Sequence, residues 1–194
     1  EWDDQTVRLA QEAIDKQLAA ENARVKVALD KVSANVMMAD ADRNIIYTND
    51  AVLATLRTAQ SDIRKDLPNF NVDTLMGGSI DQFHKNPQHQ IQMLDRLTST
   101  IQTKIVVGGR HMQLIVSPVS DDVGKRIGTV VEWTDQTAEV RIQEEMDAII
   151  AAANDGDLGE RIGLEDKDGF FKQLSAGLNT LLDKTSSFVH DMSQ

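Results

Sequence analysis

The hexapeptide Glu1-Trp2-Asp3-Asp4-Gln5-Thr6 recurs as Glu132-Trp133-Thr134-Asp135-Gln136-Thr137, 131 positions later and identical at five of its six places. The chain has only two tryptophans, and each sits in one copy. Both copies run into a charged, helix-forming stretch with a Gln-Glu pair, Gln11-Glu12 and Gln143-Glu144. Self-similarity at a fixed offset marks a module used more than once. Residues 1–6 therefore read as the end of a preceding module, and the chain as a slice of an array. The alternative, chance recurrence, has to bring both tryptophans into matching frames.

Between the copies the hydrophobic period changes twice. Residues 7–32 contain no Gly or Pro and are rich in Ala, Glu, Lys and Gln, all good helix formers. Val7, Ile14 and Ala28 share one heptad position and Leu18, Val25 and Val32 the other, with Gln11 and Glu21 interrupting the seam. That spacing predicts a linker helix paired as a short coiled coil in a dimer; a single amphipathic helix lying on its own domain is the alternative. From residue 34 the spacing suits strands. Val36–Ala39 and Ile45–Tyr47 flank a polar turn and read as a hairpin. Helical spacing follows over 49–57, then short helices and turns to residue 82, then a helix over 88–97 behind Pro87. Strands are expected at 103–107 and 112–116, joined by Gly108-Gly109, and at 127–133. Two strands, several short helices and three further strands in about 100 residues predict an α+β domain with helices over one sheet face. Residues 138–153 and 170–192 are again helical, joined by a Gly-containing connector. Two such helices cannot bury both apolar faces alone, and a dimeric four-helix bundle solves that.

Composition removes whole classes of function. With 20 Lys+Arg against 31 Asp+Glu the net charge is −11, which repels phosphate backbones and anionic membranes. Nucleic acid and membrane surfaces are therefore not expected partners. The absence of cysteine excludes disulfides, thiolate metal sites and cysteine nucleophiles. No apolar run approaches the roughly 18 residues of a membrane span, and the chain reads as a fragment of a cytoplasmic protein. No phosphate-cradling loop, nucleophile elbow or metal-ligand cluster is present, so no enzyme activity is expected.

The element order over residues 33–137 resembles a PAS sensor domain, a five-stranded antiparallel sheet with a helical insertion. Phe83-His84-Lys85-Asn86-Pro87-Gln88-His89-Gln90 and Val131-Glu132-Trp133-Thr134-Asp135 resemble the PAS modules of soluble, aerotaxis-type methyl-accepting chemotaxis receptors, some of which hold haem b. Ala152, Gly156-Asp157-Leu158, Arg161-Ile162, Asp168-Gly169, Leu174, Leu178-Asn179 and Leu181-Leu182 resemble a HAMP domain, the four-helix signal converter of receptors. It departs from the usual pattern at Asp166-Lys167-Asp168-Gly169. The domain plan is thus 1–6 module end, 7–32 linker helix, 33–137 PAS, and 138–194 HAMP-like.

The resemblance implies haem iron bound by His84, with Leu114 and Trp133 on the opposite, distal face. An axial imidazole is the usual donor where a gas binds on the other side. An indole N–H, which only donates, suits the partial negative charge of bound O2. Met112 belongs with Met37, Ile80, Met93, Leu94, Leu97, Ile105, Val107, Val116 and Val130 as candidate pocket lining. His89, Lys85 and Arg96 are candidates for a haem propionate at the rim. The expected function is sensing of O2, or of CO or NO, relayed through the HAMP-like pair of a homodimer to a chemotaxis kinase and adaptor. The plainer readings make His84 a cap, Trp133 and Phe83 core residues, and the domain a cofactor-free dimerisation and relay module. Nothing in the sequence selects a flavin.

Overall fold

The computed structural model of the chain describes residues 2–84, 87–165 and 167–192. They form two units, residues 1–135 and 136–194. The first opens with helix α1, Trp2–Lys31. Its polar surface is laced by neighbours one turn apart, such as Arg8–Glu12 at 3.5 Å and Gln11–Asp15 at 2.8 Å, a spacing that supports helix. The helix includes residues 2–6. Their second copy ends a strand instead, because there the neighbouring strands supply ladder partners.

The sheet has five antiparallel strands in the order β2-β1-β5-β4-β3. These are β1 Asn35–Asp40, β2 Ile45–Thr48, β3 Ile101–Val107, β4 Arg110–Ser120 and β5 Arg126–Asp135. The α+β class and the sheet are as the sequence predicts. Side chains alternate across a strand, so Met37 and Ala39, Met112, Leu114 and Val116, and Thr129, Val131 and Trp133 all turn to one buried face. Pro118 sits in β4 beyond the last residue that pairs with β3, where its missing N–H breaks no ladder bond there.

Helix α2, Asp50–Asp66, covers that face with Val52, Leu56, Ala59 and Ile63. It runs nine residues past its expected end because the apolar spacing continues through Ala59 and Ile63. Buried Asn49 is its N-cap. The side-chain oxygen of Asn49 accepts from the N–H groups of Val52 and Val36, each at 3.0 Å, and its amide donates to the carbonyls of Leu29 and Ala34. One residue thereby ties α1, β1 and α2 together with all its polar capacity used. Two 3-10 turns follow, Val72–Thr74 and Ile80–Phe83, and then α3, Pro87–Asp95.

The second unit pairs α4, Thr137–Asn154, with α5, Gly169–Met192. Ile149, Ile162 and Leu182 are buried together, with Leu158 and Leu178 against them. The connector is pinned by Asn179, whose amide side chain binds both the N–H and the C=O of Ile162, at 2.9 and 3.0 Å. Among the described residues no helix is long and apolar enough to cross a membrane.

Candidate functional site

Strand register decides what lines the space beneath the sheet. Leu114 pairs with Trp133 on one side and Thr103 on the other, giving a row Trp133–Leu114–Thr103 across β5, β4 and β3. The next row along is Met37–Val131–Val116. Opposite lie Ile80, Phe83 and His84 on the second 3-10 turn and its cap, and Met93 and Leu94 on α3. With Ile105, these residues enclose a cavity of about 260 Å3. Met93, at 39% exposure, marks the opening to solvent.

His84, Leu114 and Trp133, three sequence-predicted site residues, line this one cavity. Met112 is buried in the core next along β4 but does not reach the lining. The side chain of His89, and all of Lys85, lie outside the described residues. Of the other expected lining residues, Met37, Ile80, Met93, Leu94, Ile105 and Val116 do line it, whereas Leu97 and Val107 pack on the core elsewhere. Val130 is corrected to the far face of β5. Its neighbours Val131 and Trp133 face inward, and alternation places Val131 in the lining instead. Thr103 was also missed. Its signal was there in the same alternation, two residues from Ile105. Phe83, read as core, contributes to the wall as well.

The cavity is chemically lopsided. Most of its wall is aliphatic or aromatic, and its polar side-chain groups are the His84 imidazole, the Thr103 hydroxyl and the Trp133 indole N–H. Burial pulls the imidazole below its ordinary pKa, against an opposing pull from the Asp81 charge. At pH 7 the ring is therefore neutral and one nitrogen keeps a lone pair. Trp133 is 6% exposed, and its Nε1–H is buried with no acceptor among the described residues. A donor left so costs about 1–3 kcal/mol. The indole is held from beside by Phe83, 5.3 Å between ring centres, which in turn meets Phe70 at 5.5 Å. Asn35 fixes the main chain of Trp133 by donating to its carbonyl at 2.8 Å.

The PAS fold family matches residues 29–141, more than half of the chain. The chain belongs to the PAS fold family. The PAS domain and its flanks are 47% identical over 190 residues to the methyl-accepting chemotaxis protein McpB of Pseudomonas aeruginosa. That alignment takes in 97% of this chain and 28% of the relative's length. Among solved structures, the PAS domain is similar to the Aer2 receptor from Vibrio cholerae, described as a dual PAS-haem oxygen sensor. The identity is 33% and the TM-score 0.47, over 53% of this chain and 93% of that one. The PAS domain of Bordetella pertussis BvgS matches at 18% identity and a TM-score of 0.39, over 69% of this chain and 98% of that one.

The donor set of the PAS cavity fits haem b. It offers one neutral imidazole on one wall, apolar surface around it, and on the sheet wall the Trp133 N–H and the Thr103 hydroxyl as hydrogen-bond donors. Among the described residues His84 is the only imidazole in the lining.

Proposed function

We propose that the PAS domain holds haem b through His84 and senses O2 or another diatomic gas within a chemotaxis receptor. The observation that supports this best is the buried, unaccepted N–H of Trp133 in the same cavity as His84. When bound, the haem iron supplies an open coordination position for a gas. His84 would hold the iron through a ring nitrogen, whose lone pair burial favours by lowering the pKa of the imidazole. Leu114, 7% exposed, keeps water from the distal wall. Trp133 would donate its N–H to an electron-rich atom of the bound gas, which would relieve the cost that this donor otherwise carries.

The readout follows chain order. Only Gln136 separates β5, which bears Trp133, from α4, so a displacement of that strand on ligand binding is passed to the helix. We assign α4 and α5 to a HAMP-like converter. The supporting features are the two-helix core around Ile149, Ile162 and Leu182 and the Asn179 clasp on the connector. A homodimer is expected through α1, where Val7, Ile14, Leu18 and Val25 are exposed, and through α5, where Leu174, Leu181, Phe188 and Met192 are exposed. The signal then reaches a kinase and adaptor through regions beyond this chain, in a cytoplasmic receptor. The domain acts as a sensor and not as a catalyst.

The test is an absorption spectrum. Purified protein reconstituted with haem should show a Soret band that shifts with CO after reduction and is lost in His84→Ala. Stoichiometric haem retained by that variant would defeat the ligand assignment. A wild-type protein that stays colourless with ample haem would leave a cofactor-free relay module.

A further inference from the structure

The cavity uses one nitrogen of His84 and leaves the other to be placed. A neutral imidazole carries one N–H and one lone pair. If the lone pair faces the cavity, the N–H points away from it. Metal-ligating histidines almost always donate that second N–H to a carboxylate, a carbonyl or water, which fixes the tautomer and raises the basicity of the ligating nitrogen. Neither ring nitrogen of His84 has a hydrogen-bond partner among the described residues.

Asp81 stands three residues earlier in the same 3-10 turn. The main-chain N–H of His84 donates to its carbonyl at 3.1 Å, so the two residues are held within one turn. The Oδ1 of Asp81 is buried and has no donor among the described residues. Its other oxygen accepts from Arg43 Nε at 3.3 Å. Arg43 is itself fixed. It takes a left-handed backbone, φ 70°, in the β1–β2 turn, and its carbonyl accepts the N–H of Ile80 at 2.9 Å. Ser79 Oγ accepts from the N–H of Asp81 at 3.1 Å. The carboxylate is thus anchored on one oxygen and on its main chain, while its second oxygen is buried with no donor among the described residues, within the same turn as His84.

We propose that Asp81 is a positioning residue for His84: its Oδ1 accepts the ring N–H that faces away from the cavity, while Arg43 holds Oδ2. This rests on the reading of His84 as the residue that would hold the haem iron. Its consequence is a single His84 tautomer, with the cavity-facing nitrogen made more electron-donating by the carboxylate. A buried carboxylate oxygen without a donor is costly, so the pairing also removes a penalty from the chain.

Two measurements on the full chain test it. In the haem-free protein, long-range 15N–1H correlation spectra report the His84 tautomer. One tautomer is expected in the wild type and a mixture in Asp81→Ala, with Asp81→Asn, which keeps an oxygen acceptor, between them. In the reduced, haem-loaded protein, resonance Raman reports the iron–imidazole stretch. It should fall in frequency in Asp81→Ala and partly recover in Asp81→Asn, and haem affinity should drop about 10–100-fold. An unchanged tautomer together with an unchanged stretch overturns the assignment. If the wild type takes up no haem, the proposed function fails, and the haem-free spectra still decide the Asp81–His84 pairing. Asp81→Asn covers the case in which Asp81→Ala does not fold.

Discussion

The PAS unit closes around its own core, whereas the helical unit leaves much of its apolar surface in water. Val52, Leu56 and Leu75 are fully buried in the first. In the second, Ile149, Ile162 and Leu182 are buried, while Phe170, Leu181 and Phe188 are each about 60–70% exposed. Each such side chain forgoes about 1.5–3 kcal/mol relative to full burial. Helix α1 lies in the first unit yet behaves like the second, with Val7, Ile14 and Leu18 more than half exposed. The difference teaches what each part needs. A sheet with helices on one face completes its core within one chain. Two helices, or one, present a stripe that another helix has to cover, and the PAS domain is bracketed by such stripes at both ends.

The largest expected effect lies where the first unit is tightest. Gly108 has φ 58° in the β3–β4 turn and donates its N–H to Asp66 Oδ2 at 2.7 Å. A Cβ there would lie 1.8 Å from the Asp62 carbonyl oxygen, so the end of α2 has to move. Gly108→Ala should cost more than about 3 kcal/mol, of which the left-handed backbone accounts for about 1–2. Gly109 has φ 81° with nothing within 4 Å of a Cβ, and Gly109→Ala should cost only that backbone share. Urea midpoints read by Trp133 fluorescence in a Trp2→Phe background compare them. Equal losses would mean that α2 is not packed rigidly on the hairpin.

A matched pair of leucines tests the contrast between units directly. Leu56→Ala should cost about 2–5 kcal/mol at any protein concentration, as buried Leu truncations do. Leu181, 59% exposed, should lose within about 0.5 kcal/mol on truncation in dilute solution. The same change should lower the dimer fraction in sedimentation at higher concentration. A Leu181→Ala loss as large as that of Leu56→Ala in dilute solution would show that the helical unit completes its own core, and the contrast would fall.

How far the sequence foretold these regions depends on how local each signal is. The hairpin turn at Gly108-Gly109, the order of elements along the chain and the helical run of α1 are near-neighbour patterns, and they were legible. The bounds of the 3-10 turns were not legible, because Asp81 and Phe83 are held by contacts to Arg43, Phe70 and Trp133 elsewhere in the chain. The cavity was legible in part. His84, Leu114 and Trp133 entered through a family resemblance, and their meeting depends on register between β3, β4 and β5. That register also selects Val131 over Val130 and adds Thr103, a choice that strand alternation alone could have made once Trp133 was placed inward. Asp81 gives no signal in sequence, since an acid in a polar turn is ordinarily solvated.

Charge sharpens the comparison last and least. The PAS unit adds an ionic clasp to its core: Asp62 on α2 takes Lys65 Nζ at 2.6 Å and Arg110 Nε at 2.7 Å, and Arg110 also reaches Asp135, at the end of β5, at 3.0 Å. The hydrogen bond from Lys65, then that from Arg110, holds the Asp62 carboxyl down at about 2, from an ordinary 3.8. A carboxyl depressed by folding stabilises the fold fully above its unfolded value, and that contribution drains away as pH falls through the folded one. The wild-type urea midpoint, read by the same fluorescence, should therefore drop between pH 4 and pH 2 more steeply than that of Asp62→Asn, and the two curves should run parallel above pH 5. Parallel curves across the whole range would mean that solvent screens the clasp completely, as it does many surface pairs. The Asp62 arm of the clasp would then contribute nothing, and the end of β5 would keep only the Arg110–Asp135 arm at 3.0 Å beside its ladder.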